Sequence, residues 1–410
     1  MAAFNLPGLP ELPGIPGLPG TVSMGADAYG KLMKKYGNFE LAQAEVLING
    51  QTVSKGKSNA FVGELSVELT SGFEASVVNL RIYGTYVQNE AKFMIDGIEK
   101  QIVLGALIQV KLGYLAGMEP VFTGFVSSVS YVYDGIGQPY IGVTGMDAKG
   151  VMMSSCYVST LTARSYGEAV TEIFKRTAYE NMKTARIITG ISVADTSDRN
   201  PGGSNQERQA EETVVMSSES DYDFVVKAAK KFNCDFFVDR GTVIFRKAKS
   251  NTNSLMSLAP AKGILKFNLE YSLTGMVQNI EVRSMNAGKG EVIVSKSKYS
   301  KDMSSSSKAK ALIKDSKKVY IDPSVYTQEQ ANARAQSLLE KISHRLGHIE
   351  CECIGIPEIF PGYFIDIKVG SPADNKFYIT RVTHTLRDSG EFITKIYGTA
   401  DSVAVPGLPF

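Results

Sequence analysis

Residues 105–145 are repeated as residues 362–398, and this internal duplication constrains the fold more than any other feature of the chain. Superposing Gly105-Ala-Leu-Ile-Gln-Val-Lys-Leu-Gly113 on Gly362-Tyr-Phe-Ile-Asp-Ile-Lys-Val-Gly370 matches Gly105, Ile108, Lys111 and Gly113 to Gly362, Ile365, Lys368 and Gly370. In each copy alternate apolar residues share one face (Ile108, Val110, Leu112; Ile365, Ile367, Val369), and Gln109 and Lys111, or Asp366 and Lys368, share the other. This period of two marks a half-buried strand. The same offset places Phe122 over Ile379, Thr123 over Thr380, Phe125 over Val382 and Val129 over Leu386 without a gap. Each copy then turns, at Asp134-Gly135 or at Asp388-Ser389-Gly390, and returns to Gly145 or Gly398. The second of these turns is therefore expected to be four residues shorter, and hairpin tips tolerate such differences.

Two meanders of one design predict an α+β, β-dominated protein with two tube-like β-barrel units, spanning residues 21–159 and 250–402. Two similar units per chain let a cyclic trimer present six quasi-equivalent modules, and closed cyclic symmetry is the usual outcome for identical chains. Between the units, residues 160–249 change period and read as a small α/β insert. One helix is expected over 165–180. A second follows Ser220, with Asp223 in capping-box spacing, Tyr222, Val225, Val226 and Ala229 on one side, and Asn233 as a left-handed end. Asp239-Arg240-Gly241 then has the composition of a tight hairpin. In the second unit a lysine- and serine-rich loop is expected over 289–318 and a helix over 328–346, opened by a Thr327/Gln330 capping box.

The chain ends are of another kind. Proline recurs at 7, 10, 13, 16 and 19, and again at 406 and 409. That spacing matches the three-residue turn of polyproline II and would set Leu9, Leu12, Ile15 and Leu18 in one apolar stripe. Residues 1–20 and 403–410 are read as flexible Pro-rich tails, with those four residues, Leu408 and Phe410 as candidate partner-docking positions.

Bulk composition excludes more than it assigns. A formal net charge of +2 over 410 residues gives no electrostatic case for a nucleic-acid or membrane partner. Four cysteines do not make a disulfide framework, so folding in a reducing compartment is expected. Neither a signal peptide nor a membrane-length apolar run is present in the sequence.

Chemistry-bearing constellations are sparse. His344, His348, Cys351 and Cys353 offer zinc-type ligands. Strand alternation, however, should bury Ile349, Cys351 and Cys353 and turn His348 and Glu350 outwards. Asp195, Asp198 and Asn200 before Gly202 lack calcium-loop spacing. The carboxylate pairs Glu211/Glu212 and Glu350/Glu352 fall in a polar linker and on a strand face. Nine lysines between 289 and 318, against Glu291, Asp302 and Asp315, form a solvated insertion or a surface for phosphates or an acidic partner. No zinc-protease, serine-hydrolase or phosphate-loop motif occurs. Accordingly no catalytic residue, cofactor or metal is assigned.

The order barrel, α/β insert, barrel resembles the baseplate hub proteins of contractile phage tails, the late control D family, and the hub portion of VgrG proteins in type VI secretion. The residues carrying the resemblance are Glu219-Ser220-Asp221-Tyr222-Asp223-Phe224, the following Cys234-Asp235-Phe236-Phe237-Val238, and the closing strand Phe377-Tyr378-Ile379-Thr380-Arg381-Val382-Thr383-His384. It covers roughly residues 38–402. The resemblance implies a non-enzymatic pseudo-sixfold homotrimer, assembled in the host cytoplasm, that joins a hexameric tail-tube protein to a trimeric spike. Other baseplate proteins are implied partners, the tape-measure protein is a further candidate, and no membrane is involved. A chain of 410 residues leaves no room for the OB-fold and needle of VgrG, so the spike would be a separate protein. The Pro-rich tails depart from the family pattern. Two other functions remain open: a tail-associated peptidoglycan hydrolase using the insert, and a surface binding module using the tails.

Overall fold

The structure is a computed structural model that describes residues 28–53, 60–94, 100–196, 213–286, 290–303, 308–323, 325, 327–370 and 373–403. The first stretch carries α1 (Ala28–Lys35), β1 (Ala42–Ile48), β2 (Gln51–Thr52), β3 (Phe61–Thr70), β4 (Val77–Tyr83), β5 (Tyr86–Val87), β6 (Lys92–Phe93), β7 (Leu107–Tyr114), β8 (Gly117–Val132) and β9 (Tyr140–Met146). The middle carries α2 (Lys149–Met152), β10 (Tyr157–Thr162), α3 (Tyr166–Ile173), α4 (Thr177–Thr184), β11 (Gly190–Val193), β12 (Thr213–Glu219), α5 (Asp221–Phe232), β13 (Cys234–Asp239) and β14 (Thr242–Lys247). The last carries β15 (Ser254–Leu258), β16 (Ile264–Tyr271), β17 (Asn279–Asn286), β18 (Glu291–Lys298), α6 (Lys308–Leu312), β19 (Lys317–Ile321), α7 (Gln328–Ser343), β20 (Gly347–Ile354), β21 (Phe364–Ile367), β22 (Asn375–Leu386) and β23 (Phe392–Ala400).

The protein is β-dominated, as the alternation predicts. The two halves are nevertheless not separate barrels: thirteen strands form one sheet, along the path β16-β20-β23-β22-β3-β4-β9-β8-β7-β1-β2, with β21 paired to β22 and β15 to β21. No closed barrel occurs among the described residues. The cause is the length of β22. Its first residues pair with β21, at Tyr378 with Phe364, and its later ones pair with β3 of the first half, from Arg381 with Thr70 to Leu386 with Leu65. One apolar core accordingly draws on both halves, with Val67, Ile82 and Ile108 from the first and Cys351, Ile365 and Ile396 from the second. Burial of such side chains is the main stabilising term.

The duplication is visible in the backbone bonds. Gly105 N–H donates to Val126 O and Val126 N–H to Ala106 O, each at 2.8 Å; Gly362 N–H donates to Ile379 O and Ile379 N–H to Tyr363 O, again at 2.8 Å. Val126 pairs with Gly145 and Ile379 with Gly398, and the same bulge follows, at Val126/Ser128 and at Ile379/Arg381. Even the side-chain bonds repeat: Ser127 Oγ donates to Thr144 O at 3.0 Å and Thr380 Oγ1 to Tyr397 O at 3.1 Å. These pairs correct the gapless superposition. Gly105 and Gly362 are equivalent, but so are Val126 and Ile379, which stand four residues closer in sequence. The length difference therefore lies at the β7–β8 tip and not at Asp134. Because four is even, the mistaken offset keeps the inward and outward alternation except across the bulge, where it sets Phe125, which packs against the insert core, over Val382, which faces the sheet core.

The insert has its own core of Ala169, Ile173, Met216, Phe224, Val225 and Phe245. Ser220 caps α5 by accepting from Asp223 N–H at 2.9 Å, and Asn233 ends it at φ 53°. β13 and β14 form the expected hairpin. The helix expected over 165–180 is instead two, α3 and α4. The chain turns extended at Arg176, which lets its guanidinium reach Asp221 while Phe174 and Tyr179 bury side by side. In the last stretch α7 packs on a sheet of order β18-β17-β19 with a third core of Ile280, Val282, Ala335 and Ile342. The lysine-rich stretch 289–318, expected as a loop, contributes β18 and α6 to this body. Its alternation of buried Ile293 and Ser295 with exposed neighbours is a strand signal that the lysine density obscures.

Candidate functional site

The six tail positions Leu9, Leu12, Ile15, Leu18, Leu408 and Phe410 lie outside the described residues. So do Asp198, Asn200, Glu211 and Glu212, while Asp195 accepts from the hydroxyl of the α3 cap Ser165 at 3.0 Å. The four zinc-type residues are not brought together. His348 is exposed, and Cys351 and Cys353 point into the core. Burial pushes the Cys351 thiol up to about 12 and the Cys353 thiol well above its ordinary value, so neither offers a thiolate. Burial also holds His344 down at about 3, and its Nδ1 sits 3.2 Å from Thr399 Oγ1. Glu350 and Glu352 share Lys395, at 2.5 and 4.0 Å, and its ammonium holds the Glu350 carboxyl below the usual range. That is a surface ion network on a strand face. Among the described residues no cluster of three metal-competent side chains occurs, and no helix is long and apolar enough to cross a membrane.

Buried polar chemistry concentrates instead where the insert meets the two halves of the sheet. On the first half, the Lys149 side chain is 0% exposed, and its Nζ donates to Gly72 O at 3.3 Å and to Glu74 O. Its charge partner Asp147, 3.9 Å away, accepts from Ser76 N–H at 2.8 Å. Tyr222 of α5 donates to Phe73 O at 2.8 Å, so the turn 71–76 between β3 and β4 is held from two sides. On the second half, the buried Tyr378 hydroxyl donates to Asp235 of β13, and Arg246 Nη2 of β14 donates to Gly362 O. Burial pushes the Asp235 carboxyl up, and burial next to Asp235 pushes the Tyr378 phenol well up. Between these clamps lies a groove of about 710 Å³, lined by charges of both signs that include Glu68, Glu270, Lys249 and Arg381. Such a lining selects no one ligand charge.

The joint between the halves is simpler. β22 and β3 present Val382, His384 and Leu386 against Leu69, Val67 and Leu65 on the buried face, and Arg381, Thr383 and Thr385 against Thr70, Glu68 and Ser66 on the other. Arg381 Nη1 stands 3.7 Å from Glu68 across it, with both side chains about half exposed. His384 anchors the inner side: its Nε2 donates to Ile359 O at 3.2 Å, while Nδ1 accepts from Thr394 Oγ1 at 2.9 Å. Thr394 in turn accepts from Ile356 N–H at 3.0 Å, so the chain fixes the tautomer. The sequence reading named Asp235, Tyr378 and His384 only as parts of motifs. No local pattern marks their partners, since Tyr378 meets Asp235 across 143 residues and His384 meets Thr394 across 10.

A family model described as the Alg8 N-terminal domain matches residues 39–388. No curated protein sequence matches the chain. Among solved structures the chain is similar to the 43 kDa tail protein of prophage MuSo2 from Shewanella oneidensis, at TM-score 0.62 and 15% identity, over 88% of this chain and 99% of that one. A tail protein from Neisseria meningitidis MC58 follows at TM-score 0.60 and 10% identity, covering 89% and 98%. The E. coli c3393 protein, described as a type VI secretion component structurally similar to the T4 tail proteins gp27 and gp5, matches at TM-score 0.54 and 11% identity over 89% and 79%. At these identities the likeness is one of fold.

Proposed function

The chain belongs to the Alg8 N-terminal domain family, and from that premise we propose that it is a structural hub of a contractile tail or injection-system baseplate. In this reading it is a homotrimer that joins a hexameric tail tube to a separate trimeric spike, contacts other baseplate proteins, and catalyses nothing. The fold shared with the Shewanella and Neisseria tail proteins supports a role in a tail. The observation that carries the finer reading is the duplicated unit.

A tube of six subunits and a spike of three can be joined without mismatch by three chains that each present two copies of one structural unit. Here the copies agree strand for strand, down to the bulge at Val126/Ser128 and Ile379/Arg381. The bonds of Tyr222 to Phe73 and of Tyr378 to Asp235 tie the insert to both copies, and a firm tie of that kind is what a symmetry adaptor needs.

The test is reconstitution. Purified chain is mixed with tube and spike proteins from the same gene cluster and imaged by negative-stain electron microscopy. Rings seated on tube ends and carrying the spike are expected. Failure to join either protein, together with clearing of peptidoglycan in a zymogram by the purified chain, would overturn the structural reading.

A further inference from the structure

The lysine-rich stretch 289–318 supplies β18, α6 and the start of β19, and so most of one side of the β18-β17-β19 sheet. The inner face of that sheet, with Ile280, Val282 and Ile293, is buried on the α7 side. Its outer face is bare. Strand register sets the outer residues in four rows: Met285 beside Val292; Arg283 between Val294 and Ile321; Glu281 between Lys296 and Val319; Asn279 between Lys298 and Lys317. At one end the rows are aliphatic and open to solvent, with Val292 71% exposed, Ile321 80% and Met285 59%, and Val294 and Val319 exposed beside them. At the other end they are basic. Glu281 is the one carboxylate in the four rows, and Arg283 and Lys317 already share it at 2.6 and 3.2 Å. Arg283, Lys296, Lys298 and Lys317 against Glu281 leave the face with a surplus of positive charge.

We propose that this face is a docking site for a segment of another tail protein, one that presents apolar side chains to Met285, Val292, Val294, Val319 and Ile321 and acidic ones to Lys296, Lys298 and Lys317. This deepens the hub reading and rests on it. Single exposed aliphatic residues are ordinary on a protein surface, but five that adjoin on one sheet face mark a contact surface. Methionine and arginine, which stand here among the valines and isoleucine, are residue types enriched where proteins meet.

The two ends of the face together select the occupant. A nucleic acid would gain from the lysines, but its phosphates offer nothing to the aliphatic rows, whose burial is half of the available free energy. A second copy meeting this face with its own would bring the same surplus of positive charge, and like charges set against each other oppose pairing. An acidic segment with one apolar side satisfies both ends. Burial of the aliphatic rows supplies affinity, and the lysine rows set the direction in which the segment lies.

The experiment uses assembled tail particles that contain the full-length chain. A carbodiimide couples lysine amines directly to carboxylates in contact with them, and the joined peptides are identified by mass spectrometry. Lys296, Lys298 or Lys317 is expected to be joined to an aspartate or glutamate of a different protein. Links from these lysines only to copies of this chain, or none while other lysines react, would overturn the docking site and leave the hub standing. Two double variants follow, Val292→Asp with Ile321→Asp and Lys296→Glu with Lys298→Glu, each used once its thermal unfolding matches the parent. Either should lower the amount of the linked protein that the chain retains by about tenfold, the effect of losing central contacts. Unchanged retention would overturn the proposal. So would binding of a short DNA duplex by the purified chain that the lysine variant loses and the aliphatic variant keeps, which would mark a nucleic-acid surface. A parent chain that enters no particle would overturn the hub reading and the docking site with it.

Discussion

The hydroxyl of Tyr378, in the second half of the main sheet, donates to the buried carboxylate of Asp235, in the insert. The two residues are 143 positions apart, and the bond ties the insert to the main sheet. Tyr378→Phe removes the hydroxyl donor of that buried carboxylate. A loss of about 1–3 kcal/mol in unfolding free energy is expected from urea titration, the usual cost of taking a hydrogen bond from a buried acceptor. Asp235→Leu combined with Tyr378→Phe should recover part of it, because neither position then holds a buried polar group.

His384 makes a pH prediction whose sign is definite. Burial lowers its pKa from 6.5 to about 4 in the fold, so between those values the unfolded chain binds more protons than the native one. Stability from this residue is complete above about 6.5 and is lost as the pH falls toward 4, by about 3 kcal/mol across the window. Protonation would also place a hydrogen on Nδ1 facing the Thr394 hydroxyl that donates to it. Urea midpoints at pH 7 and pH 4.5 should therefore separate more for the parent than for His384→Gln; equal separation would contradict the assignment.

The joint between the halves should depend on its inner face. Leu69 is 3% exposed and pairs with Val382, whereas the Arg381–Glu68 pair is half in solvent at 3.7 Å. Leu69→Ala is expected to cost about 2–5 kcal/mol and Arg381→Ala less than about 0.5 kcal/mol. Both are read from the same denaturation curves.

Gly145 and Gly398 test the duplication through its sterics. A Cβ on Gly145 would approach Val78 Cγ1 at 2.7 Å and Ile108 Cγ2 at 2.8 Å; one on Gly398 would meet Phe377 Cβ at 3.0 Å and Ile349 Cγ2 at 3.1 Å. Alanine at either position overpacks the shared core and should destabilise by about 1–3 kcal/mol, more at Gly145 than at Gly398.

Much of this architecture is legible in the sequence where the signal is local. Alternation marks the faces of β7 and β21, Ser220 and Thr327 mark helix starts, and Arg240-Gly241 marks a hairpin. Whatever depends on pairing between distant strands is not. The four-residue slip in the repeat shows why: away from the bulge an even offset preserves the inward and outward pattern, and the Val126 and Ile379 hydrogen bonds reveal the true correspondence. The fusion of two expected barrels into one sheet has the same origin, since nothing within residues 381–386 says that their partner is residues 65–70.

The central claim is that three chains, each carrying two copies of one unit, close into a ring. Native mass measurement of the purified chain tests it most directly. With a chain mass of 44.5 kDa, a single species of three chains is expected. A species of one chain at every concentration would contradict the account.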